Sequence, residues 1–214
     1  MFVDESGNMI NSVDMLVNSN SLFENNDGTY QLLLSENFSH ILSPTKNNDS
    51  IVTNGITTLD ILLIQNHILG TGSIVSPYQL IAADVNNSAS ISTLDLLHIH
   101  QLILQASTTF PQGKLWKFID SDFVFPNPSF PFYFPDYRIV SSSNDVYNQD
   151  FVGVKLGDVN NSWNPNINRE SEKDVLAFNY SSVDEGIQII SVFSDNFRNI
   201  KSFQFTLNFD PNKI

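Results

Sequence analysis

Apolar and polar residues alternate near both ends of the chain, whereas two longer apolar runs with helical spacing lie in the middle. The stretch 13–17 alternates between apolar and polar side chains, which predicts a strand with one buried face. A similar alternation covers 203–209 near the other end. The central runs, 59–69 and 94–104, are predicted helices. The pattern therefore predicts the α+β class.

Changes in this pattern divide the chain into four parts. Strand-like residues 1–46 are followed by a module over 47–165, which holds both helices and a long irregular tail. A polar linker, 166–173, precedes a second strand region over 174–214. We predict a multi-module α+β chain, in which two strand regions flank a paired loop–helix module with a wrapping tail.

An internal repeat relates the two predicted helices. Residues 56–64 and 91–99 are offset by 35 positions (91 minus 56), and six of the nine residues are identical. Each unit has a polar loop followed by an apolar helix, and Gly70 breaks the chain between the units. The repeat indicates that the two loops have related structures.

The second loop, 84–95, has the spacing of an EF-type calcium loop. Calcium takes six to eight oxygen ligands, which such a loop supplies at positions 1, 3, 5, 7 and 12. Position 6 is Ala89 instead of the usual glycine, and position 12 is an aspartate instead of a glutamate. The predicted calcium ligands of this loop are Asp84, Asn86, Ser88, the Ser90 carbonyl and Asp95.

The first loop is less regular. Asp49 and Asp60 have the spacing of positions 1 and 12, but position 3 would be Ile51, which has no side-chain oxygen. An alternative alignment starts at Asn47 and takes Asp49 as its second ligand. Both alignments stay open. The candidate ligands of this loop are Asn47, Asp49, Thr53, the Gly55 carbonyl and Asp60.

Both loops also have a purely structural interpretation. Thr57-x-x-Asp60 and Ser92-x-x-Asp95 resemble capping boxes, which open helices. A capping box and a metal loop are compatible, because the loop runs directly into the start of the helix.

Thr53–Leu69 and Asp84–Leu104 resemble the two segments of a dockerin domain, a calcium-stabilised loop–helix pair of cellulosomes and other bacterial surface assemblies. The resemblance implies an F-hand that lacks the entering helix. It also implies two calcium ions and a protein partner of the cohesin type.

The flanking regions resemble β-sandwich proteins. Residues 7–46, with Gly28–Leu32 at their middle, resemble the end of a carboxypeptidase regulatory-like sandwich, and Lys201–Pro211 resembles the first strands of a cohesin-like sandwich. This combination resembles large secreted surface proteins of Bacteroidetes, which implies export and a partial β-sandwich at each end. We expect that the chain is a fragment of a longer polypeptide or that neighbouring subunits complete its sheets.

The tail of the central module holds two further features. Phe123–Pro128 and Phe130–Pro135 interleave aromatic residues with proline, which favours an extended strap packed over the helices. Stacking on sugar rings is the alternative, so polysaccharide stays a candidate partner. Residues 157–162 repeat the first half of the second loop without a helix after it. They predict a third metal site, formed by Asp158, Asn160 and Ser162, or a turn leading to the linker.

Composition narrows the function classes. The chain has 10 Lys and Arg against 23 Asp and Glu, so its charge of -13 opposes binding to nucleic acid and favours cations. It has no cysteine, and no apolar run approaches the roughly 20 residues of a membrane span. The catalytic motifs of phosphate-binding loops, serine hydrolases and zinc proteases are absent. These observations predict a binding protein rather than an enzyme.

The combined prediction is an extracellular or cell-surface, calcium-stabilised structural or adhesive protein. Its partner is a cohesin-like protein or another copy of itself, and strand addition between copies would build a filament. The alternative is a non-catalytic targeting module of a larger secreted polysaccharide-degrading enzyme.

Overall fold

The computed structural model describes residues 1–22, 29–31, 34–141, 147–165, 176–183 and 187–194. The chain forms two compact units, Met1–Pro165 and Asn166–Ile214. Helices and sheets are both present, so the predicted α+β class is confirmed.

The described residues of the first unit form three helices in the middle of its sequence: α1 (Thr58–Leu69), α2 (Pro77–Ala83) and α3 (Thr93–Ile103). The capping boxes predicted at α1 and α3 are both formed, with Thr57 and Ser92 as the N-caps. Gly70 ends α1 in the left-handed conformation, with φ of 70°. The repeat therefore encodes two similar helix starts, and α2 lies between them in the chain.

Seven strands of the first unit form two sheets. The four-stranded antiparallel sheet has the order β3–β2–β4–β6, and the three-stranded sheet has the order β1–β7–β5. In the smaller sheet β1 is parallel to β7, whereas β5 is antiparallel to it. The strands are β1 (Phe2–Val3), β2 (Asp14–Val17), β3 (Asn20–Leu22), β4 (Ser39–Thr45), β5 (Trp116–Asp120), β6 (Arg138–Ser141) and β7 (Phe151–Lys155).

The structure differs from the predicted boundary between residues 46 and 47. Phe2 of β1 pairs with Phe151 of β7, and His40 of β4 pairs with Val140 of β6. Strands from 1–46 thus share both sheets with strands from the tail of the central module, in one compact unit. The physical reason is that alternation identifies the buried face of a strand but not its neighbours, and a short strand needs a partner for its backbone hydrogen bonds.

The core of this unit joins the sheets to the helices. The ring of Phe2 lies 5.8 Å from that of Phe118 and 6.2 Å from that of Phe151. The aromatic and proline-rich strap packs onto a helix in part, as the sequence predicts: the ring of Phe125 makes an edge contact with Tyr78 of α2 at 5.6 Å, whereas Phe130 and Tyr133 are exposed. The helices are therefore packed against both the strap and the sheets.

The second unit contains a hairpin of β8 (Leu176–Val183) and β9 (Ile187–Ser194), which pair antiparallel along their full length. The linker predicted at 166–173 and the alternating run predicted over 203–209 lie outside the described residues. The predicted cohesin-like strands of that run therefore stay a prediction.

Candidate metal centre

The loop 84–95 folds around the buried carboxylate of Asp84. Its Oδ1 accepts a hydrogen bond from the Ser88 backbone N–H at 2.8 Å, and its Oδ2 accepts one from the Ala89 N–H at 2.9 Å. The Oδ1 of Asn86 accepts a further bond from the Ser88 N–H at 2.9 Å. The loop therefore wraps its backbone around the first predicted ligand.

Asp95, at the other end of the loop, returns to this centre. Its Oδ2 accepts from the backbone N–H of Ser92 at 2.9 Å, which closes the capping box of α3. Its Oδ1 accepts from the Asn86 N–H at 3.3 Å. The buried Asp95 carboxylate thus joins the start of α3 to the first half of the loop.

Neutral oxygens complete the set. The hydroxyl of Ser88 lies 3.5 Å from Asp84 Oδ1 and donates to the Ser90 carbonyl at 3.1 Å. All five predicted ligands of this loop are therefore linked by short contacts. Ala89 takes the left-handed conformation, with φ of 59°, that a glycine at position 6 would adopt without strain.

The charges of this loop favour a cation. Burial raises the pKa of Asp95 above its ordinary value, and the negative charge of Asp84 raises it further. Lys117 contacts the loop through the side chain of Asn87, at 2.6 Å. Two buried carboxylates with several neutral oxygens are the donor set that calcium prefers.

The first loop is arranged differently from either predicted alignment. The Asp49 carboxylate accepts from the Trp116 indole N–H at 2.7 Å and forms ion pairs with Lys155 at 2.5 Å and Lys46 at 3.3 Å. Burial raises the pKa of Asp49, but the charge of Lys155, the hydrogen bonds from Lys155 and Trp116 and the charge of Lys46 together hold it below its ordinary value. The Asp49 carboxylate therefore links the first loop to β5 through the Trp116 hydrogen bond and to β7 through the Lys155 ion pair.

The remaining candidate ligands of the first loop have different surroundings. Asn47 is exposed, and the carbonyl of Thr53 accepts from the Ile56 N–H at 2.9 Å within a turn. Asp60 is buried, and its Oδ2 accepts from the backbone N–H of Thr57 at 2.8 Å in the capping box of α1. Asp60 and Gly55 both contact a second segment, which is not part of the predicted set for this loop.

That second segment is 158–163, which follows β7. The Oδ1 of Asp60 accepts from the Val159 N–H at 3.0 Å, and the hydroxyl of Ser162 donates to the Gly55 carbonyl at 3.0 Å. The sequence predicts a separate third site or a turn here, but the structure places Asp158 in a buried position beside the first loop. Burial raises the pKa of Asp158 to about 6, and the charge of Asp60 contributes to that shift.

A comparison with protein families gives a match in the central part of this unit. Residues 47–104 match the family model of the dockerin type I domain and are thus similar to that domain. Dockerin type I domains typically bind Ca²⁺, and such a domain implies a cohesin-binding module of an extracellular protein. No curated protein and no solved structure matches the chain.

Carboxylates are few at each candidate centre. The described residues hold no group of three or more His, Cys, Asp or Glu side chains able to bind a metal. The loop 84–95 offers two carboxylates, Asp84 and Asp95, so its other calcium ligands would be neutral oxygens.

No helix in the described part of the chain is long and apolar enough to cross a membrane.

Proposed function

We propose that this protein is a non-catalytic, calcium-stabilised docking module of an extracellular assembly, which binds a cohesin-type partner through α1 and α3. The observation that carries the proposal is a repeated set of exposed leucines on the two helices that follow the loops. Leu62 and Leu69 of α1 correspond to Leu97 and Leu104 of the second unit of the repeat. They are 44 to 64% exposed, although their helices otherwise pack into the core.

The exposed leucines have the spacing of one helix face. Leu62 and Leu69 are seven positions apart on α1, and Leu94, Leu97 and Leu104 follow the same helical period from the start of α3 to its C-cap. Exposed apolar side chains repeated at one spacing favour a protein-binding surface over ordinary scattered exposure. Because α1 and α3 contact each other, the two faces belong to one helical pair.

Calcium would act on this surface through the helix starts. The carboxylate of Asp95 belongs both to the predicted calcium loop and to the capping box of α3. A cation that holds Asp95 therefore holds the first turn of α3, on which the exposed Leu94 lies. Docking should depend on calcium for this reason.

Two settings of such a module follow from the sequence. In the first it is part of a structural or adhesive surface protein, and copies join into a filament by strand addition through the C-terminal region. In the second it attaches a secreted polysaccharide-degrading enzyme to a scaffold. Electron microscopy of the native material distinguishes them: fibres that contain this chain support the first, whereas a hydrolase domain in the same polypeptide supports the second.

The docking proposal is tested by calorimetric titration against a library of purified type I cohesin modules. We expect binding in calcium and its loss in excess EDTA. The double variant Leu62→Asp with Leu97→Asp should abolish binding, because it places a charge on both helix faces. Val75→Asp is the matched control, since Val75 is 78% exposed and lies outside the helices. No binding across the library, or equal binding by the double variant, would contradict the proposal.

A further inference from the structure

We propose that the protein has a second calcium site, which is split between two distant segments of the chain. The split site consists of Asp158, Asn160 and Ser162, which follow β7, together with the Gly55 carbonyl and Asp60, which precede and begin α1. The contiguous site is the loop Asp84–Asp95. The inference rests on the calcium-binding role proposed for the contiguous site and adds a ligand set that lies partly outside the dockerin match.

The sequence of the split site resembles that of the contiguous site divided into two segments. Residues 158–162 read Asp-Val-Asn-Asn-Ser, identical to residues 84–88. The other half, 55–60, corresponds to 90–95 in the internal repeat. The first half thus lacks a following helix, whereas the second half follows a segment whose position 3 is Ile51, without a side-chain oxygen, and whose Asp49 forms ion pairs with Lys155 and Lys46. Each half has what the other lacks.

The first aspartates of the two sites accept corresponding hydrogen bonds. Asp158 Oδ1 accepts from the Ser162 N–H at 2.9 Å, and Asp84 Oδ1 accepts from the Ser88 N–H at 2.8 Å. The next N–H along each loop donates to Oδ2, at 2.7 Å in the split site and 2.9 Å in the contiguous site. In both loops the serine hydroxyl lies 3.5 Å from the aspartate Oδ1.

The junctions between the halves also correspond. Ser162 donates its hydroxyl to the Gly55 carbonyl at 3.0 Å, as Ser88 does to the Ser90 carbonyl at 3.1 Å. The Oδ1 of the helix-start aspartate accepts from the backbone of the acidic loop in both cases, at 3.0 Å in the split site and 3.3 Å in the contiguous site. The split site therefore reproduces the arrangement of a complete loop across two segments.

An unpaired oxygen points independently to a ligand. The side-chain Oδ1 of Asn160 is buried and has no hydrogen-bond partner, one of two such atoms in the described part of the chain. It occupies the position that Asn86 holds in the contiguous site. A buried polar atom without a partner costs about 1–3 kcal/mol. A calcium ion would use this oxygen as its position-3 ligand.

Contacts beside the predicted ligands hold the two halves in place. The Asn54 side-chain amide, which precedes the second half, donates to the Asn164 carbonyl at 2.8 Å, and the indole of Trp163, which follows Ser162, packs edge-on against Trp116 of β5 at 4.9 Å. A Cβ on Gly55 would lie 2.5 Å from Asp158 Oδ2, so this close approach requires glycine. The site is therefore held together by the fold before any cation binds.

The test is the number of calcium ions bound per chain, measured by equilibrium dialysis on the protein and three isosteric variants. We expect two ions for the unchanged protein, one each for Asp84→Asn and Asp158→Asn, and two for Asp49→Asn. Circular dichroism checks that each variant is folded. One bound ion that is lost in Asp84→Asn but kept in Asp158→Asn would overturn the split site and leave the contiguous site intact. No bound ion at all would overturn both.

A gain-of-affinity variant keeps the test decisive if Asp158→Asn does not fold. Asn160→Asp adds a third carboxylate to the split site and should tighten one of the two binding steps about tenfold, because affinity rises with ligand charge. Asn86→Asp is the matched control, which should tighten the other step. Equal binding curves for Asn160→Asp and the unchanged protein would contradict the proposal.

Discussion

The contiguous and the split site have nearly the same local geometry but differ in how the chain brings their halves together. The serine–carbonyl hydrogen bond that joins the halves spans 2 residues in the contiguous site and 107 in the split site. The bond to the helix-start aspartate spans 9 residues in one and 99 in the other. One site is thus determined by local sequence, and the other exists only when the whole first unit is folded.

This difference indicates what each site does for the fold. Closing a long loop costs more chain entropy than closing a short one, and the packing of the sheets and the core offsets that cost in the split site. β7 ends at Lys155, three residues before Asp158, so the pairing of β7 with β1 and β5 places the acidic half beside α1. A cation at the split site would tie the end of β7 to the start of α1. In a chain without cysteine, it would serve as a cross-link between distant segments.

The largest effect we expect is that of removing calcium from both sites. A ligand at 100 times its dissociation constant stabilises the folded state by about 2.7 kcal/mol per site, so two sites give about 5 kcal/mol. Urea unfolding in saturating calcium and in excess EDTA measures this difference. An unfolding free energy that is the same in both would contradict calcium binding at either site.

The next largest effect is the loss of stability in Asp49→Ala, which tests whether Asp49 is a calcium ligand. Asp49→Ala should cost about 3–5 kcal/mol, because it leaves the buried ammonium group of Lys155 without its carboxylate. The same loss should appear in calcium and in EDTA, since the split site does not use Asp49. If the loss appears only in calcium, Asp49 is a ligand and the comparison of the two sites is wrong.

A glycine pair tests the close contact within the split site. Gly55 and Gly113 both have positive φ, at 83° and 67°, but only Gly55 would place a Cβ against other atoms: 2.5 Å from Asp158 Oδ2 and 2.8 Å from the Trp163 backbone. Gly113→Ala should cost about 1 kcal/mol from backbone strain alone. Gly55→Ala should cost about 3 kcal/mol, because the strain is joined by a clash, and abolish one calcium-binding step. Equal thermal shifts for the two variants would argue against a tight junction.

The smallest expected effect is that of a substitution at Ala89, in the contiguous site. Ala89 has φ of 59°, whereas Trp163 at the corresponding position of the split site has a negative φ. Ala89→Gly should stabilise the protein by about 0.5–1 kcal/mol, because glycine adopts the left-handed conformation without a Cβ clash. Thermal unfolding in calcium measures the gain. A lower melting temperature would show that the alanine side chain contributes packing that outweighs its strain.

The sequence predicts the local features of the contiguous site well. EF-type spacing selects its five candidate ligands, which the structure brings into contact with one another, and the capping boxes at Thr57 and Ser92 follow from a four-residue pattern. These features depend on residues within one loop and the helix start that follows it, so the spacing of residue types is enough to find them. The helical repeat and the α+β class follow for the same reason.

The split site could not be predicted in the same way, because its halves meet only through the tertiary fold. Two signals were present in the sequence: Ile51 offers no side-chain oxygen in the first loop, and 158–162 repeat the acidic half of a loop without a helix. Neither signal states that Asp158 and Asp60 are partners. That pairing follows from the register of β7, which the alternation of apolar residues does not encode.

The most direct test of two calcium sites is a crystal structure of the calcium-loaded protein with an anomalous difference map. We expect two calcium peaks, one between Asp84 and Asp95 and one between Asp60 and Asp158. A second peak beside Asp49, or no peak next to Asp158, would contradict the split site.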